Sequence, residues 1–279
     1  MKFFALLSSM PFESNKILRQ FKNACRIKLA GKTVYKGKLL NTGILLMNTG
    51  IGKANAALCA TGLIERFPIR SIINLGAGGA YPASGLKIGD IAVASKEIYG
   101  EEGVISSRGP AYRTGRWESL KKIGIPLVQS GGKKYFNEFP LDGKLAKKTL
   151  SLLSRITQCA SQRTMKIIPP YPPLPKGGGG DFKIKSGIFV TVSAATGTHK
   201  RALELERRFN AVCENMEGAA IAQVCTVYKV PMLEIRGISN IVGERDKRKW
   251  NLKLASENCQ RAVLCIIESL HGCLSPIYS

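Results

Sequence analysis

The sequence predicts an α/β fold, with a single domain built on a central mixed β-sheet flanked by helices. Short apolar runs of strand length alternate with helical patterns along most of the chain. Several of these runs end in glycines or small polar residues, as connections between strands and helices do. The chain has 279 residues, of which 44% are hydrophobic, and this is enough to bury one complete core. We therefore expect one domain over residues 1–279.

The first part of the chain alternates between predicted strands and helices. Residues 3–9 are apolar and form the expected first strand, because Glu13 and Asn15 follow too soon for a signal peptide. A helical pattern starts at about Lys53 and stops before Pro68. The expected strands are 3–9, 44–48, 71–75 and 91–95, and the expected helices are 13–21 and 53–66.

The middle of the chain, from about residue 101 to residue 187, has weaker apolar periodicity. It contains a predicted basic amphipathic helix over residues 142–159. A proline-rich stretch over residues 168–175 precedes four glycines at 177–180, and such a composition cannot form a core element. We predict an insertion or flexible loop around residues 160–185. The pattern then resumes with strands at 188–193 and 232–238 and helices at 200–209, 217–228 and 252–270.

The composition of the chain limits which kinds of partner and binding site we expect. The 42 Lys and Arg residues exceed the 19 Asp and Glu residues, so the formal net charge is +23, which first suggests nucleic acid or an anionic surface as a partner. No apolar run is long enough to cross a bilayer, so no membrane partner is expected. Eight cysteines without a CxxC pair are typical of reduced thiols in a cytoplasmic protein. His199 and His271 are the only histidines, which excludes a His-rich metal site, and we expect no bound metal.

Two glycine-rich segments resemble cofactor-binding loops but lack required residues. Residues 76–79 are expected to form a turn after a strand, yet Tyr81 stands where a dinucleotide fingerprint that starts at Gly76 and Gly78 needs its third glycine. A Walker A loop before the helix at residue 53 would need a glycine and a Ser or Thr where Met47 and Ala54 stand. The sequence therefore predicts no cofactor.

Four segments follow predicted strands and are expected to line one pocket. In open α/β sheets the ligand crevice lies at the carboxyl ends of the strands, and glycines there allow close approach of the backbone to a flat ligand. The four segments are 8–13, 76–79, 193–198 and 239–240.

Several motifs in a fixed order carry a family resemblance. They are Met10-Pro11-Phe12-Glu13, residues 48–57, Gly76-Ala77-Gly78-Gly79 with residues 87–91, residues 214–222, and Arg236-Gly237-Ile238-Ser239-Asn240. Together they resemble the purine nucleoside phosphorylase and nucleosidase superfamily, outside residues 101–187. Within it, residues 191–198, the segment Glu214-Asn215-Met216-Glu217-Gly218 and Asn240 are most similar to the futalosine hydrolase family, nucleosidases of an alternative menaquinone pathway.

The resemblance implies hydrolysis of a ribose–purine bond through an oxocarbenium-like transition state. It places Glu13 as the carboxylate that activates water, and Met216 and Glu217 as the ribose-binding pair, with Glu214 ranked below Glu217. It also implies a small-molecule nucleoside and water as partners and a homodimer in which one subunit shapes its neighbour's pocket. The remaining candidate binding residues are Gly76, Ala77, Gly78, Thr196 and Arg236.

Asn240 indicates which purine is bound. In the related methylthioadenosine/S-adenosylhomocysteine nucleosidases this position is an Asp, which when protonated matches the acceptor and donor of a 6-aminopurine. The amide nitrogen of Asn has two donors and suits the two acceptors of a 6-oxopurine. The residue therefore favours a hypoxanthine-type base and would stabilise charge on it without acting as an acid.

Three alternatives stay open at this point. A methylthioadenosine/S-adenosylhomocysteine nucleosidase would prefer adenine, and a purine nucleoside phosphorylase would use phosphate in place of water. The third is a basic nucleic-acid-binding protein, although the acids within the 244–250 segment dilute its charge and no nucleic-acid motif is present. For the stacking aromatic, Tyr99, Phe136 and Phe182 are candidates.

Overall fold

The computed structural model describes residues 2–106, 116–161 and 183–272. Most of the loop predicted around residues 160–185, together with Phe182, lies outside these described residues.

The described elements include the six predicted strands and five of the predicted helices, with further strands between them. The strands are β1 Phe3–Ser8, β2 Lys22–Leu29, β3 Lys32–Leu39, β4 Thr42–Asn48, β5 Ile69–Ala80, β6 Ile91–Tyr99, β7 Gly103–Ser106, β8 Arg116–Ser119, β9 Val128–Ser130, β10 Lys133–Tyr135, β11 Glu138–Pro140, β12 Ile184–Thr191, β13 Ala211–Asn215 and β14 Met232–Ile241. The helices are α1 Asn15–Leu18, α2 Lys53–Arg66, α3 Leu120–Ile123, α4 Gly143–Ser161, α5 His199–Phe209, α6 Gly218–Tyr228 and α7 Leu252–Gly272.

The central sheet is mixed, which confirms the predicted fold class. Its strand order is β11-β6-β12-β13-β5-β1-β4-β3-β2, and β14 pairs with β5 and β6. The inner strands β4, β1, β5 and β14 run parallel, whereas β2 and β3 add an antiparallel edge. Parallel inner strands bring the carboxyl ends of β1, β5 and β14 to one edge of the sheet.

The core has two layers because successive side chains of a strand point to opposite faces. Leu6 packs in the layer under α4 and α7, together with Val263 of α7. Leu7 packs in the opposite layer under α2 and α6, together with Leu63 and Ile221. Helices therefore flank both faces of the sheet, as the sequence predicts.

The main differences from the prediction lie at polar edges and at glycines. The helix predicted over residues 13–21 is only a 3-10 turn at Pro11–Glu13 followed by the short α1, and β2 starts at Lys22. The β2–β3 hairpin was not predicted because β2 is mostly exposed and lacks an apolar face. The turn expected at residues 76–79 is wrong, since β5 continues through these glycines to Ala80.

The two longest helices are amphipathic rather than uniformly apolar. In α7, Cys259, Val263 and Ile267 are buried, whereas Glu268 is exposed. The α4 helix confirms the basic amphipathic helix predicted over residues 142–159. Within the described ranges, none of the helices combines the length and the apolar character needed to cross a membrane.

Candidate active site

Glu13 lies at the carboxyl end of β1 and is held by three hydrogen-bond donors. Its Oε1 accepts from the Ala77 amide at 2.8 Å. Its Oε2 accepts from the Met10 amide and from the Ser9 hydroxyl, both at 2.8 Å. The side chain is buried, so the carboxylate has a defined position beside β5.

Gly76 permits the close approach of a carboxylate and a guanidinium. A Cβ atom at this position would lie 2.6 Å from Oε1 of Glu13 and 3.1 Å from Nη1 of Arg236. No side chain fits there without moving both groups. The glycine is thus required by the site, although it lies within a strand and not in the predicted turn.

Arg236 in β14 connects the parts of the site. Its Nε and Nη2 contact Oε1 of Glu234 at 2.9 Å, and its Nη1 donates to the Ala77 carbonyl at 3.1 Å. Nη2 also donates to Oε2 of Glu217 at 3.4 Å. Burial lowers the pKa of Arg236, but the carboxylates of Glu234, Glu217 and Glu13 raise it more, to above its ordinary value. The guanidinium is therefore charged and fixed.

Glu217 precedes α6 and is buried in the same cluster. Its Oε1 accepts from the Gly52 amide at 3.1 Å, and its own amide donates to Oδ1 of Asn215 at 3.0 Å. Gly52 has a φ of 99°, in the left-handed region that favours glycine. Met216, the other predicted ribose residue, is partly buried against the cluster that contains Val190.

Thr196 is held by Glu214. The Thr196 amide donates to Oε1 of Glu214 at 3.0 Å, and its hydroxyl donates to Oε2 at 2.6 Å. Tyr81 donates to the same Oε2 at 3.1 Å. Burial raises the pKa of Glu214, and the Glu101 carboxylate adds to this, while the hydrogen bonds from Thr196 and Tyr81 oppose it. Thr198 has a different task, since its hydroxyl caps α5 by accepting from the Arg201 amide at 3.3 Å.

Asn240 lies near the end of β14, beside a shift in strand register. The pairing of β14 with β5 is irregular between Ile238 and Asn240, and such a bulge re-aims the side chains next to it. Ser239 donates to Oδ1 of Asn240 at 2.8 Å, and Nδ2 donates to the Ile241 carbonyl at 3.2 Å. The amide nitrogen of Asn240 carries two N–H groups, and the Ile241 carbonyl accepts from one of them.

The structure places Glu13, Glu217 and Arg236 in one cluster around Gly76, whereas Thr196 belongs to the hydrogen-bond group of Glu214. Of the aromatic candidates, Tyr99 is buried with its ring edge-on to Phe139, 5.9 Å between centroids. Phe136 lines a different cavity, with Trp117 and Arg208.

Sequence reasoning missed two buried carboxyl groups, Glu97 and Glu234. Glu234 and Arg236 are two residues apart in the predicted strand 232–238, which is otherwise apolar, so both side chains point to the same face. Because a buried charge needs a partner, this spacing was an available signal of a buried ion pair. Glu97 has no comparable local signal, since its partners come from distant parts of the chain.

The arrangement offers two fixed carboxylates with different chemical uses. A fixed carboxylate, Glu13, can accept a proton, and a second carboxylate, Glu217, can accept hydrogen bonds from hydroxyl groups. Among the residues that the structure describes, no group of three or more His, Cys, Asp or Glu side chains could hold a metal ion.

Comparison with known proteins identifies the family. A family model described as the phosphorylase superfamily matches residues 4–268. The chain is 31% identical to a futalosine hydrolase of Thermus thermophilus over 238 residues, 85% of this chain and 87% of that protein. It is 27% identical to a 5'-methylthioadenosine/S-adenosylhomocysteine nucleosidase of Colwellia psychrerythraea over 249 residues, 87% of this chain and 86% of that protein.

Solved structures show the same fold. The Colwellia psychrerythraea nucleosidase in complex with adenine superimposes with a TM-score of 0.74 at 23% identity, covering 96% of each chain. A putative nucleosidase of the same kind from Borrelia burgdorferi, bound to adenine, has a TM-score of 0.69 at 27% identity, covering 95% of this chain and 99% of its own. The chain therefore belongs to the phosphorylase superfamily, whose family model covers residues 4–268.

Proposed function

We propose that the protein is a nucleosidase that hydrolyses the N-glycosidic bond of futalosine, releasing hypoxanthine and dehypoxanthine futalosine in menaquinone biosynthesis. The observation that carries this proposal is Asn240, an amide where a 6-aminopurine would favour an acid. The 31% identity with the Thermus thermophilus futalosine hydrolase supports it.

In this proposal Glu13 activates the water. Its carboxylate is fixed by the Ala77 amide at 2.8 Å and can accept a proton from a water molecule that attacks the anomeric carbon. The bond between that carbon and the purine nitrogen breaks, and the electron pair leaves with the base. The proton taken up by Glu13 then passes through solvent to the base, which is released as hypoxanthine. The negative charge of Glu13 also favours the positive charge that develops on the sugar.

Glu217 holds the ribose and Met216 packs on the sugar. Glu217 is oriented by Gly52 and Arg236, so its carboxylate can accept hydrogen bonds from two adjacent hydroxyl groups. Holding the sugar in one orientation contributes to the rate because the attacking water and the anomeric carbon are already aligned.

Asn240 and Thr196 recognise the base, beside the glycines of β5. Ser239 donates to Oδ1 of Asn240 at 2.8 Å and Nδ2 donates one N–H to the Ile241 carbonyl at 3.2 Å, which leaves the second N–H for the base. This second N–H then donates to the purine, whose 6-oxo group and ring nitrogen 7 are both acceptors. The space beside Gly76 and Gly78 is filled by Glu13, Arg236 and Cys213, so these glycines and Ala77 contribute to the proposed site by letting those groups approach β5.

A substrate panel tests this proposal. Futalosine, inosine and methylthioadenosine are each incubated with the purified protein, with and without phosphate, and the products are separated by chromatography. We expect hypoxanthine from futalosine at the highest kcat/KM, with no dependence on phosphate. Preferential release of adenine from methylthioadenosine, or a requirement for phosphate, would overturn it.

The second candidate is a methylthioadenosine/S-adenosylhomocysteine nucleosidase. The 27% identity with the Colwellia psychrerythraea enzyme over 87% of this chain favours it. The two candidates share the hydrolytic chemistry proposed for Glu13 and Glu217 and differ only in the base and the 5′ substituent. The same substrate panel separates them.

We also propose that the protein is a homodimer and that residues 1–279 form one domain. Large apolar side chains beside the site are exposed, since Phe12 is 40%, Ile51 is 53% and Ile105 is 73% accessible. Lys53, next to the Gly52 loop, joins the segment before Ile105 through its ion pair with Glu102 at 2.6 Å. A second subunit covering these side chains would complete the pocket.

A further inference from the structure

Two buried carboxyl groups lie behind Arg236 and outside the set of residues that would touch a substrate. Glu97 of β6 and Glu234 of β14 are both fully buried. Oε1 of Glu97 accepts from Nδ2 of Asn215 and Oε2 accepts from the Thr191 hydroxyl, both at 2.7 Å. Oε1 of Glu234 accepts from Arg236 at 2.9 Å.

The remaining oxygen of Glu234 faces Glu97. A Cβ atom at Gly218 would lie 2.2 Å from Oε1 of Glu97 and 2.3 Å from Oε2 of Glu234, so the two oxygens approach each other above this glycine. In the part of the chain that the structure describes, no N–H or O–H donor reaches Oε2 of Glu234. Two ionised carboxylates cannot share such a position in the protein interior, because their repulsion is unscreened.

The surrounding charges do not neutralise both groups. Arg236 is the cation beside the pair, and it also faces the carboxylates of Glu217 and Glu13. Cys213 of β13 lies near both carboxyl groups, but burial raises the pKa of this thiol well above its ordinary value, so it is neutral. Glu214 adds a further carboxyl group near Cys213.

The geometry also says which carboxyl group holds the proton. Arg236 contacts Glu234 and stabilises its ionised form. Burial raises the pKa of Glu97 well above its usual range, and the charge of Glu234 and a hydrogen bond to it add to this, while Thr191 and Arg236 oppose it. Glu97 is therefore the protonated partner.

We propose that Glu97 and Glu234 share one proton, donated by Oε1 of Glu97 to Oε2 of Glu234, and that the pair positions the two carboxylates of the active site through Arg236. Both are positioning residues, since neither would touch the substrate. Only the kinetic test of this proposal rests on the proposed function. Any nucleoside that the enzyme cleaves can be the substrate in that test.

The path from the pair to the site is continuous. Glu234 holds the guanidinium of Arg236, whose Nη2 donates to Glu217 at 3.4 Å. Its Nη1 donates to the carbonyl of Ala77 at 3.1 Å, and the amide of the same residue donates to Glu13 at 2.8 Å. A shift of the guanidinium thus moves both the proposed water-activating group and the proposed ribose-binding group.

Two matched amide variants test the proposal. Glu97→Gln places a permanent donor of the same shape toward Oε2 of Glu234, with loss of the hydrogen bond that Oε1 accepts from Asn215. Glu234→Gln removes the carboxylate that holds Arg236. We expect Glu234→Gln to lower kcat on the order of 10- to 100-fold, as is common for groups that orient functional residues. We expect Glu97→Gln to retain more activity than Glu234→Gln, by about tenfold or more, and to lose the decline of activity at alkaline pH that ionisation of the pair causes.

A substrate-independent measurement separates this proposal from the proposed function. The infrared difference spectrum between the wild type and Glu97→Gln should contain the carbonyl band of a buried, protonated carboxyl group. Glu138→Gln is the control, because Glu138 is exposed and its carboxylate pairs with Lys96 at 2.6 Å, so neither its spectrum in this region nor the activity should change. Thermal unfolding of each variant checks that it folds.

Two results would overturn the proposal. One is the absence of the protonated carboxyl band in the wild type. The other is an equal effect of the two amide substitutions on kcat and on the pH profile, which is what simple loss of core packing would produce. If the band and the asymmetry are present but futalosine is not the substrate, only the proposed function is wrong.

Discussion

At the residue scale, Glu13 combines burial with three fixed donors, and this makes its proposed role testable. Glu13→Gln keeps the shape of the side chain but cannot accept a proton from water. We expect kcat to fall on the order of 100- to 10,000-fold, the usual contribution of a general base. The measurement is steady-state kinetics on the substrate that the panel identifies, with thermal unfolding as the folding control. A loss of less than tenfold would contradict the role.

Asn240 makes the prediction about the base. In Asn240→Asp, a carboxylate facing a 6-oxopurine leaves mismatched polar atoms, which costs about 1–3 kcal/mol. We expect kcat/KM for 6-oxo nucleosides to fall by about 5- to 100-fold relative to that for 6-amino nucleosides. Competition between the two nucleosides measures the ratio directly, and an unchanged ratio would remove the argument for a hypoxanthine-type base.

The buried Glu97 also predicts how stability depends on pH. Its pKa is raised in the folded protein by burial, the Glu234 charge and a hydrogen bond to Glu234. The folded state therefore holds its proton more tightly, so the contribution of Glu97 to stability is fully present below the ordinary carboxyl pKa. It is lost as the pH rises toward the raised pKa, by at most about 1.4 kcal/mol per pH unit.

Denaturant unfolding of the wild type and Glu97→Gln across this pH range checks the prediction. The variant cannot titrate at this position, so the wild-type stability should fall more steeply with pH above the ordinary carboxyl pKa. Parallel curves for the two proteins would mean that Glu97 is not protonated in the folded state.

At the element scale, two threonines between β12 and α5 have different roles: Thr198 stabilises a helix, and Thr196 belongs to the proposed site. Thr198 caps α5 by accepting from the Arg201 amide at 3.3 Å, while Thr196 is buried and bonded to Glu214. Thr198→Ala should destabilise the protein by about 1 kcal/mol, the ordinary loss for such a cap. The change is measured by thermal unfolding, with KM expected to stay the same. A raised KM with unchanged stability would instead place Thr198 in contact with the substrate.

The predicted boundaries of an element match the observed ones where the apolar residues of its sequence repeat are also the buried residues. The helix predicted over residues 53–66 is confirmed as α2, because Ala56, Cys59 and Leu63 repeat at helical spacing and are buried. The β2–β3 hairpin could not be predicted in this way, since an edge strand exposed on most of its length carries no such repeat. In β5, glycines that suggested a turn instead continue a strand, because β13 and β14 supply hydrogen-bonding partners there.

At the scale of the whole molecule, the proposed homodimer can be tested through its exposed apolar side chains. Ile105→Glu places a charge on a side chain that is 73% accessible in the single chain. We expect light scattering to give a dimer mass for the wild type and a shift toward monomer for the variant, because burying an unpaired charge in the contact is unfavourable. A monomeric wild type would contradict the proposal.

The net charge of +23 does not select the function. It suggests nucleic acid when taken alone, yet the buried residues of the proposed site are predominantly acidic and face a single guanidinium, Arg236. A basic surface attracts any anion from a distance, whereas the site discriminates by short contacts. Surface charge and site chemistry therefore carry independent information here.

The sequence by itself determined the fold class, six of the described strands (β1, β4, β5, β6, β12 and β14), the helices α2 and α4–α7, and the candidates Glu13, Glu217, Arg236 and Asn240. Apolar periodicity and ordered motifs are local properties, so they can be read without knowing which strands are neighbours. Only the tertiary structure decided that Arg236 joins Glu13 to Glu217, and that Glu97 and Glu234 face each other above Gly218. Those contacts depend on the strand order of the sheet, which brings together residues far apart in the chain.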